Sequence, residues 1–149
     1  MSGQPRFWRH LVGSLCVLAI AGCAGPSAAP RASLYDRLGG KQAITAVVDQ
    51  FVANVAGDNR INGRFATTDI PKLKANLVDQ VCQATGGPCT YKGRDMKTTH
   101  AGMKISDGDF GALVQDLVKA LDTFKVPTAE QHELLAILGP MKKDIVEVP

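Results

Sequence analysis

The sequence predicts an all-α domain, on three observations. Apolar residues recur every three or four positions in four separate stretches. No stretch sustains the alternate-residue pattern of a half-buried strand. Gly, Pro or a capping side chain bounds most of the apolar stretches. Stripes of this kind on successive helices bury against one another, so periodicity alone describes a small helical bundle.

The first long helix is expected over about Lys41 to Ala56. Ile44, Val47, Val48, Phe51, Val52 and Val55 share one face, with Gly39-Gly40 before it and Gly57-Asp58 after it. A short turn with Ile61 and Phe65 comes next. The second helix starts near Pro71, a residue suited to a first helical turn, with Thr68 or Asp69 as cap. Its stripe is Leu73, Leu77, Val78 and Val81, and Gly86-Gly87 stops it. Residues 88–105 lack periodicity and read as an irregular passage with one helical turn around His100. Ser106 then caps a strong helix with Phe110, Leu113, Val114, Leu117, Leu121 and Phe124 inward. Val126-Pro127 breaks the chain. Thr128 with Gln131 reads as a capping box opening the last helix, which carries Leu134, Leu135, Ile137, Leu138, Met141 and Ile145 and bends at Pro140.

The N-terminus has a different character. Arg6, Arg9 and His10 precede a twelve-residue apolar run, Leu11 to Gly22, too short for the roughly 20 residues of a spanning helix. A charged head and a short apolar core ending in small residues form an export signal over residues 1–22. Ile20-Ala21-Gly22-Cys23 resembles the bacterial lipobox. That likeness implies lipidation of Cys23, hence a membrane-anchored lipoprotein of the bacterial cell envelope facing the periplasm or the exterior. Residues 23–33 read as lipidated Cys and flexible tether, small, polar and Pro-containing, and 34–149 as the folded domain. The chain carries 17 basic and 14 acidic residues; Arg6 and Arg9 leave with the signal, so the remainder is nearly neutral. With no basic stripe interleaved with aromatics, nucleic acid is not an expected partner.

Export places Cys82 and Cys89 in an oxidising compartment. They are seven apart around Gly86-Gly87-Pro88, so the chain can fold back and join them. A disulfide there would stabilise by about 2–3 kcal/mol. Two free thiols, one packed as a small hydrophobe, are the other reading.

Enzyme constellations are missing from the sequence: no HExxH, P-loop, GxSxG or paired-Cys zinc pattern occurs. After the signal there are two histidines. His132, between Gln131 and Glu133, reads as solvent-facing. His100 is the unusual one, in the segment MKTTHAGMKIS between the two helix pairs.

Several segments, in order, resemble the group I truncated haemoglobins. These are Ser33-Leu34-Tyr35-Asp36-Arg37-Leu38-Gly39-Gly40, Phe65, Ile70-Pro71-Lys72-Leu73-Lys74, Gly86-Gly87-Pro88 with Tyr91 and Gly93, Met96-Lys97 with His100, and Val126-Pro127 with Glu133 to Pro140. The likeness runs from about Leu34 to Val146. It implies a two-on-two helical sandwich enclosing a haem b (iron protoporphyrin), with His100 as proximal iron ligand, since haem iron needs an axial donor such as neutral imidazole. It makes Phe65, Leu73, Leu77, Met96, Ile105 and Leu113 pocket walls rather than core. Tyr91, Lys72 and Lys97 become candidate partners of the haem carboxylates.

The sequence departs from that family on the distal side. Positions where a Tyr and a Gln commonly face the bound gas hold Val52 and Leu77, with Leu73 at the usual distal position. All three are apolar, and Gln80 and Asn76 are less well placed. The resemblance therefore implies a carrier or sensor of diatomic gas (O2, NO or CO) without tight oxygen storage. A nitric oxide dioxygenase drawing on an external electron donor, and a globin fold that has lost haem and serves as an interaction lipoprotein, are the alternatives.

Overall fold

The computed structural model describes residues 31–149; the expected export signal over residues 1–22 and the expected lipidation site Cys23 lie outside the described residues. Among the described residues there are seven helices, in order α1 (Leu34–Arg37), α2 (Gly40–Gly57), α3 (Ile70–Ala84), α4 (Met96–His100), α5 (Asp107–Thr123), α6 (Thr128–Leu138) and α7 (Lys142–Ile145). A 3-10 turn, Asn62–Phe65, lies between α2 and α3, and another, Gly139–Met141, between α6 and α7. Among the described residues the only β-type pairing is a single bridge, Ser106 to Val148.

Capping side chains set most of the helix starts. Ser33, expected as the last tether residue, accepts from the Asp36 N–H at 3.1 Å and begins the folded domain. The Tyr35 hydroxyl accepts from the Lys41 N–H at 3.0 Å and so closes the start of α2, where Gly39 and Gly40 both have positive φ. Asp69 caps α3 through Lys72 N–H, and Ser106 and Asp109 form a reciprocal capping box on α5. The box expected at Thr128 does not form. Pro127 is the cap, Thr128 is already helical, and the Gln131 amide donates instead to Asp122 Oδ1 and the Val126 carbonyl.

Helix ends are set by backbone geometry. At α3, Gly86 takes φ 88° while the Gly86 and Gly87 N–H groups return to the Gln83 and Cys82 carbonyls, a Schellman end. A Cβ at Gly87 would lie 2.7 Å from Cys82 Sγ and closer still to the Tyr35 ring, so only glycine fits. The α5 end has the same bonds with Lys125 in the left-handed position, and Val126 packs beside Leu121. That end places Phe124 beyond the last helical turn, where it is 47 % exposed rather than inward. Pro140 does not kink one helix; it divides two, with the 3-10 turn between α6 and α7.

The helix α2 packs against both α3 and α5, and α1 rests on α2 and α6. One cluster joins Ile44, Val48, Phe51, Val52 and Val55 of α2 to Val78 and Cys82 of α3 and Ala112 and Ala120 of α5. A second holds Leu34, Leu121 and Leu134. Arg37 ties α1 to α6, reaching both Glu130 and Glu133. Cys82 and Cys89 are disulfide-bonded with Cα atoms 5.7 Å apart, tying the end of α3 to the passage that precedes α4.

Candidate functional site

Two stripes that periodicity assigns alike are separated by the fold. On α2 and α5, Ile44, Val48, Ala112 and Ala120 are buried outright. Leu73, Leu77, Leu113 and Leu117 are only half-buried because they open onto a cavity of about 1010 Å³. This is at the top of the roughly 300–1,000 Å³ range of small-molecule pockets. Its walls come from α2, α3, α4, α5, α6 and α7 together.

The expected pocket residues Val52, Phe65, Leu73, Leu77, Met96 and Leu113 all line this cavity, as do Tyr91 and His100. Ile105 does not. It is buried beside the C-terminal tail, and its carbonyl accepts the N–H groups of Glu147 and Val148 at 2.9 and 3.2 Å. The residue directly before an N-cap is turned back toward the tail, which places Ile105 outside the wall. Of the cations proposed for a carboxylate-bearing ligand, Lys72 lines the cavity and Lys97 does not. Lys97 lies on the one-turn α4 facing solvent. Lys92 and Arg94, which no sequence signal marked, do line it. They sit in the aperiodic passage, where no pattern shows which side chains face inward.

His100 ends α4, a single turn capped by Asp95, whose carboxylate accepts the Thr98 N–H at 2.8 Å. That bond is the main cause holding the Asp95 carboxyl below the usual carboxylate range. The His100 Nδ1 lies 2.8 Å from the Met96 carbonyl oxygen. A carbonyl only accepts, so Nδ1 carries the proton and donates. The proton of neutral imidazole is thereby spent, and Nε2 keeps an available lone pair. This is the arrangement of a metal-ligating histidine whose second nitrogen is oriented by a backbone carbonyl.

The residues fit a haem in chemistry as well as in room. The walls are apolar, one imidazole offers a lone pair, and Lys72, Lys92 and Arg94 supply positive charge for two carboxylates. Tyr91 is less available for that purpose. Its hydroxyl donates to the Arg94 carbonyl at 2.8 Å, and burial pushes the phenol up, keeping it neutral. On the α2 and α3 walls, Val52, Leu73 and Leu77 present no hydrogen-bond donor. Asn76 and Gln80 also line the cavity, and the Gln80 amide faces the sulfurs of Met96 and Met141 at 3.7 and 3.4 Å.

The loop after His100 is tied down on both sides. The N–H groups of Gly102 and Lys104 donate to the two oxygens of Glu147 at 2.7 and 2.6 Å, and these bonds hold its carboxyl below the usual range. From the other side the Arg64 guanidinium donates to the Met103 carbonyl at 2.8 Å and to Asp109 at 2.7 Å. Arg64 adjoins Phe65, so one turn supplies both a wall and a tie.

Comparison with known proteins agrees with this geometry. Residues 33–147 match the family described as bacterial-like globin. A group 1 truncated hemoglobin of Mycolicibacterium paratuberculosis is 36 % identical, across 76 % of this chain and 84 % of its own length. One from Nostoc is 38 % identical, across 76 % and 97 %. Among solved structures, truncated hemoglobin from Tetrahymena pyriformis in its Fe(III) form superposes with a TM-score of 0.75 at 30 % identity, covering 77 % of this chain and 98 % of that one. The 2/2 hemoglobin of Synechococcus, solved in the cyanomet state with covalently attached heme, gives 0.73 at 31 % identity over 77 % and 98 %. The helical sandwich is thus the two-on-two globin arrangement, and the chain belongs to the bacterial-like globin family.

Proposed function

We propose that this protein holds a haem b between α3 and α4 and presents it to diatomic gases at the bacterial cell envelope, as a carrier or sensor. Membership of the globin family implies haem and gas binding; the finer statements rest on this chain's own residues. The observation that carries them is the His100 Nδ1–H bond to the Met96 carbonyl, which leaves Nε2 as donor on a residue lining the cavity. No C-x-x-C-H attachment motif occurs and Cys82 is bonded to Cys89, which favours a non-covalent b-type group.

A bound haem iron, held by His100, would supply the chemistry of gas binding. The chain sets the surroundings. Leu73 and Leu77 exclude water, and with Val52 they withhold a hydrogen bond from the gas. Oxygen becomes more polar on binding than carbon monoxide or nitric oxide, so the missing donor weakens oxygen most. This favours exchange over storage and a carrier over a dioxygenase, which needs a long-lived oxygen complex. The lipobox-like Ile20-Ala21-Gly22-Cys23 supports anchoring through a lipid on Cys23, with the signal removed.

An absorption spectrum of the purified full chain supplied with haem tests the reading. A Soret band shifting on reduction and on carbon monoxide addition is expected. A folded protein that stays colourless would sink it and leave the haem-less interaction module in its place. Labelling with a radioactive fatty acid, lost in Cys23→Ser, tests the anchor.

A further inference from the structure

We propose that Glu147 and Arg64 are positioning residues for His100, clamping the loop Gly102–Lys104 from opposite sides so that the imidazole is held in one orientation toward the cavity; this rests on His100 being the ligand. The helix α4 has five residues and His100 is its last. A helix this short has little stability of its own, so its orientation is set by what holds it: the Asp95 cap, its packing on α7, and the loop that succeeds it. That loop turns through two left-handed residues: Gly102 at φ 79°, which glycine adopts freely, and Lys104 at φ 52°, which is unfavourable for a residue with a side chain. Such a conformation persists only where its surroundings enforce it.

The surroundings are complete. Every N–H of the loop is used: Gly102 and Lys104 donate to Glu147, and Met103 donates to the His100 carbonyl at 3.0 Å. An anion takes the amides while a cation, Arg64, takes the Met103 carbonyl at 2.8 Å and approaches that of Lys104 at 3.4 Å. Neither clamp residue is loose. Arg64 is held by Asp109, itself half of the α5 capping box. Glu147 is held by its own N–H and that of Val148 on the Ile105 carbonyl, which explains why Ile105 is buried away from the cavity. The tail after α7 is therefore connected to His100 through the two Glu147 hydrogen bonds and residues 101–104.

The test uses the full haem-loaded chain and the variants Glu147→Ala, Glu147→Gln and Arg64→Lys. Three readouts apply: amide hydrogen exchange at Gly102 and Lys104, the iron–histidine stretching band of the reduced protein, and the rate of haem loss to an excess of a scavenging globin. In Glu147→Ala, faster exchange, a shifted and broadened band, and haem loss faster by roughly tenfold are expected. Glu147→Gln keeps one acceptor oxygen and should fall between. If Glu147→Ala does not fold, Glu147→Gln and Arg64→Lys carry the same test. Variants that speed loop exchange yet keep the parent band and haem-loss rate overturn the clamp while leaving His100 as ligand. A parent protein that binds haem without an iron–histidine band removes the ligand assignment, and the clamp with it.

Discussion

The Nδ1–H of His100 donates to the carbonyl of Met96, one turn back on the same short helix. A hydrogen bond of this kind selects the tautomer before any metal arrives. His100→Gly should then take up haem weakly, with the reduced protein lacking an iron–histidine band. Free imidazole added to that variant should restore such a band, since the cavity and its cations are unchanged. A His100→Gly spectrum identical to the parent without imidazole would show that another residue ligates.

The distal walls are open to a direct change of chemistry. Replacing Leu73 by Gln adds a donor where Val52, Leu73 and Leu77 now give none. A hydrogen bond of about 1.4 kcal/mol slows oxygen dissociation by roughly tenfold. Carbon monoxide dissociation should change much less, because bound carbon monoxide carries little charge. Stopped-flow replacement of each gas measures both rates. Equal slowing of the two would indicate steric closure of the pocket rather than a hydrogen bond.

Cys82 is fully buried and bonded to Cys89, whose passage leads to Tyr91, Lys92 and Arg94 on the cavity. Cys89→Ser should lower stability by about 2–3 kcal/mol, as expected for a short loop. Its urea midpoint should fall without a large change in slope. It should also loosen the cationic edge, so haem loss should rise more than in a variant comparably destabilised elsewhere, such as Ile44→Ala. If haem loss tracks stability alone, the disulfide serves the fold and not the pocket.

How far these features are legible in the sequence differs by element, for physical reasons. Long amphipathic stripes specify α2, α3 and α5 because core burial imposes a repeat of 3.6 on sequence. Gly86 and Asp69 mark their ends because positive φ and an orphan N–H each admit few residue types. Phe124 departs from its expected inward position because the stripe continues past the turn at which the backbone stops being helical. Within the site, likeness to a family marks His100, whereas periodicity cannot distinguish the cavity-facing Leu113 from the buried Ala112. Lys92, Arg94, Arg64 and Glu147 are unreadable for one reason. Each lies in a segment without a repeat, and the partners of Arg64 and Glu147 are distant in sequence, as with Glu147 and Gly102.

Asp116 is buried on α5 with its Oδ2 unpartnered among the described residues. Burial, then the nearby Asp58, pushes its carboxyl above the usual range, with Arg60 and Lys119 opposing. Asp58 itself is lowered to about 2, chiefly by its hydrogen bonds from Arg60. The two groups therefore pull stability in opposite directions with pH. A raised folded-state pKa means that Asp116 costs nothing below the ordinary carboxylate range, where it is protonated folded or unfolded, and destabilises as pH rises from the ordinary carboxylate value to its raised folded one. Lowered groups such as Asp58, Asp109 and Glu130 stabilise above that range and lose their effect as pH falls toward their depressed values. Asp116→Asn removes the buried charge and can donate toward Asp58. It should stabilise the protein at pH 7 by about 1 kcal/mol, the scale of one unsatisfied buried polar group. That advantage should shrink and vanish as pH drops below about 4, the ordinary carboxylate value, while parent and variant lose stability together through the lowered carboxyls. Paired thermal melts between neutral and acid pH measure the gap. A gap that is absent at pH 7, or that widens in acid, would mean that Asp116 is stabilised by its surroundings as an anion, against its burial and missing partner.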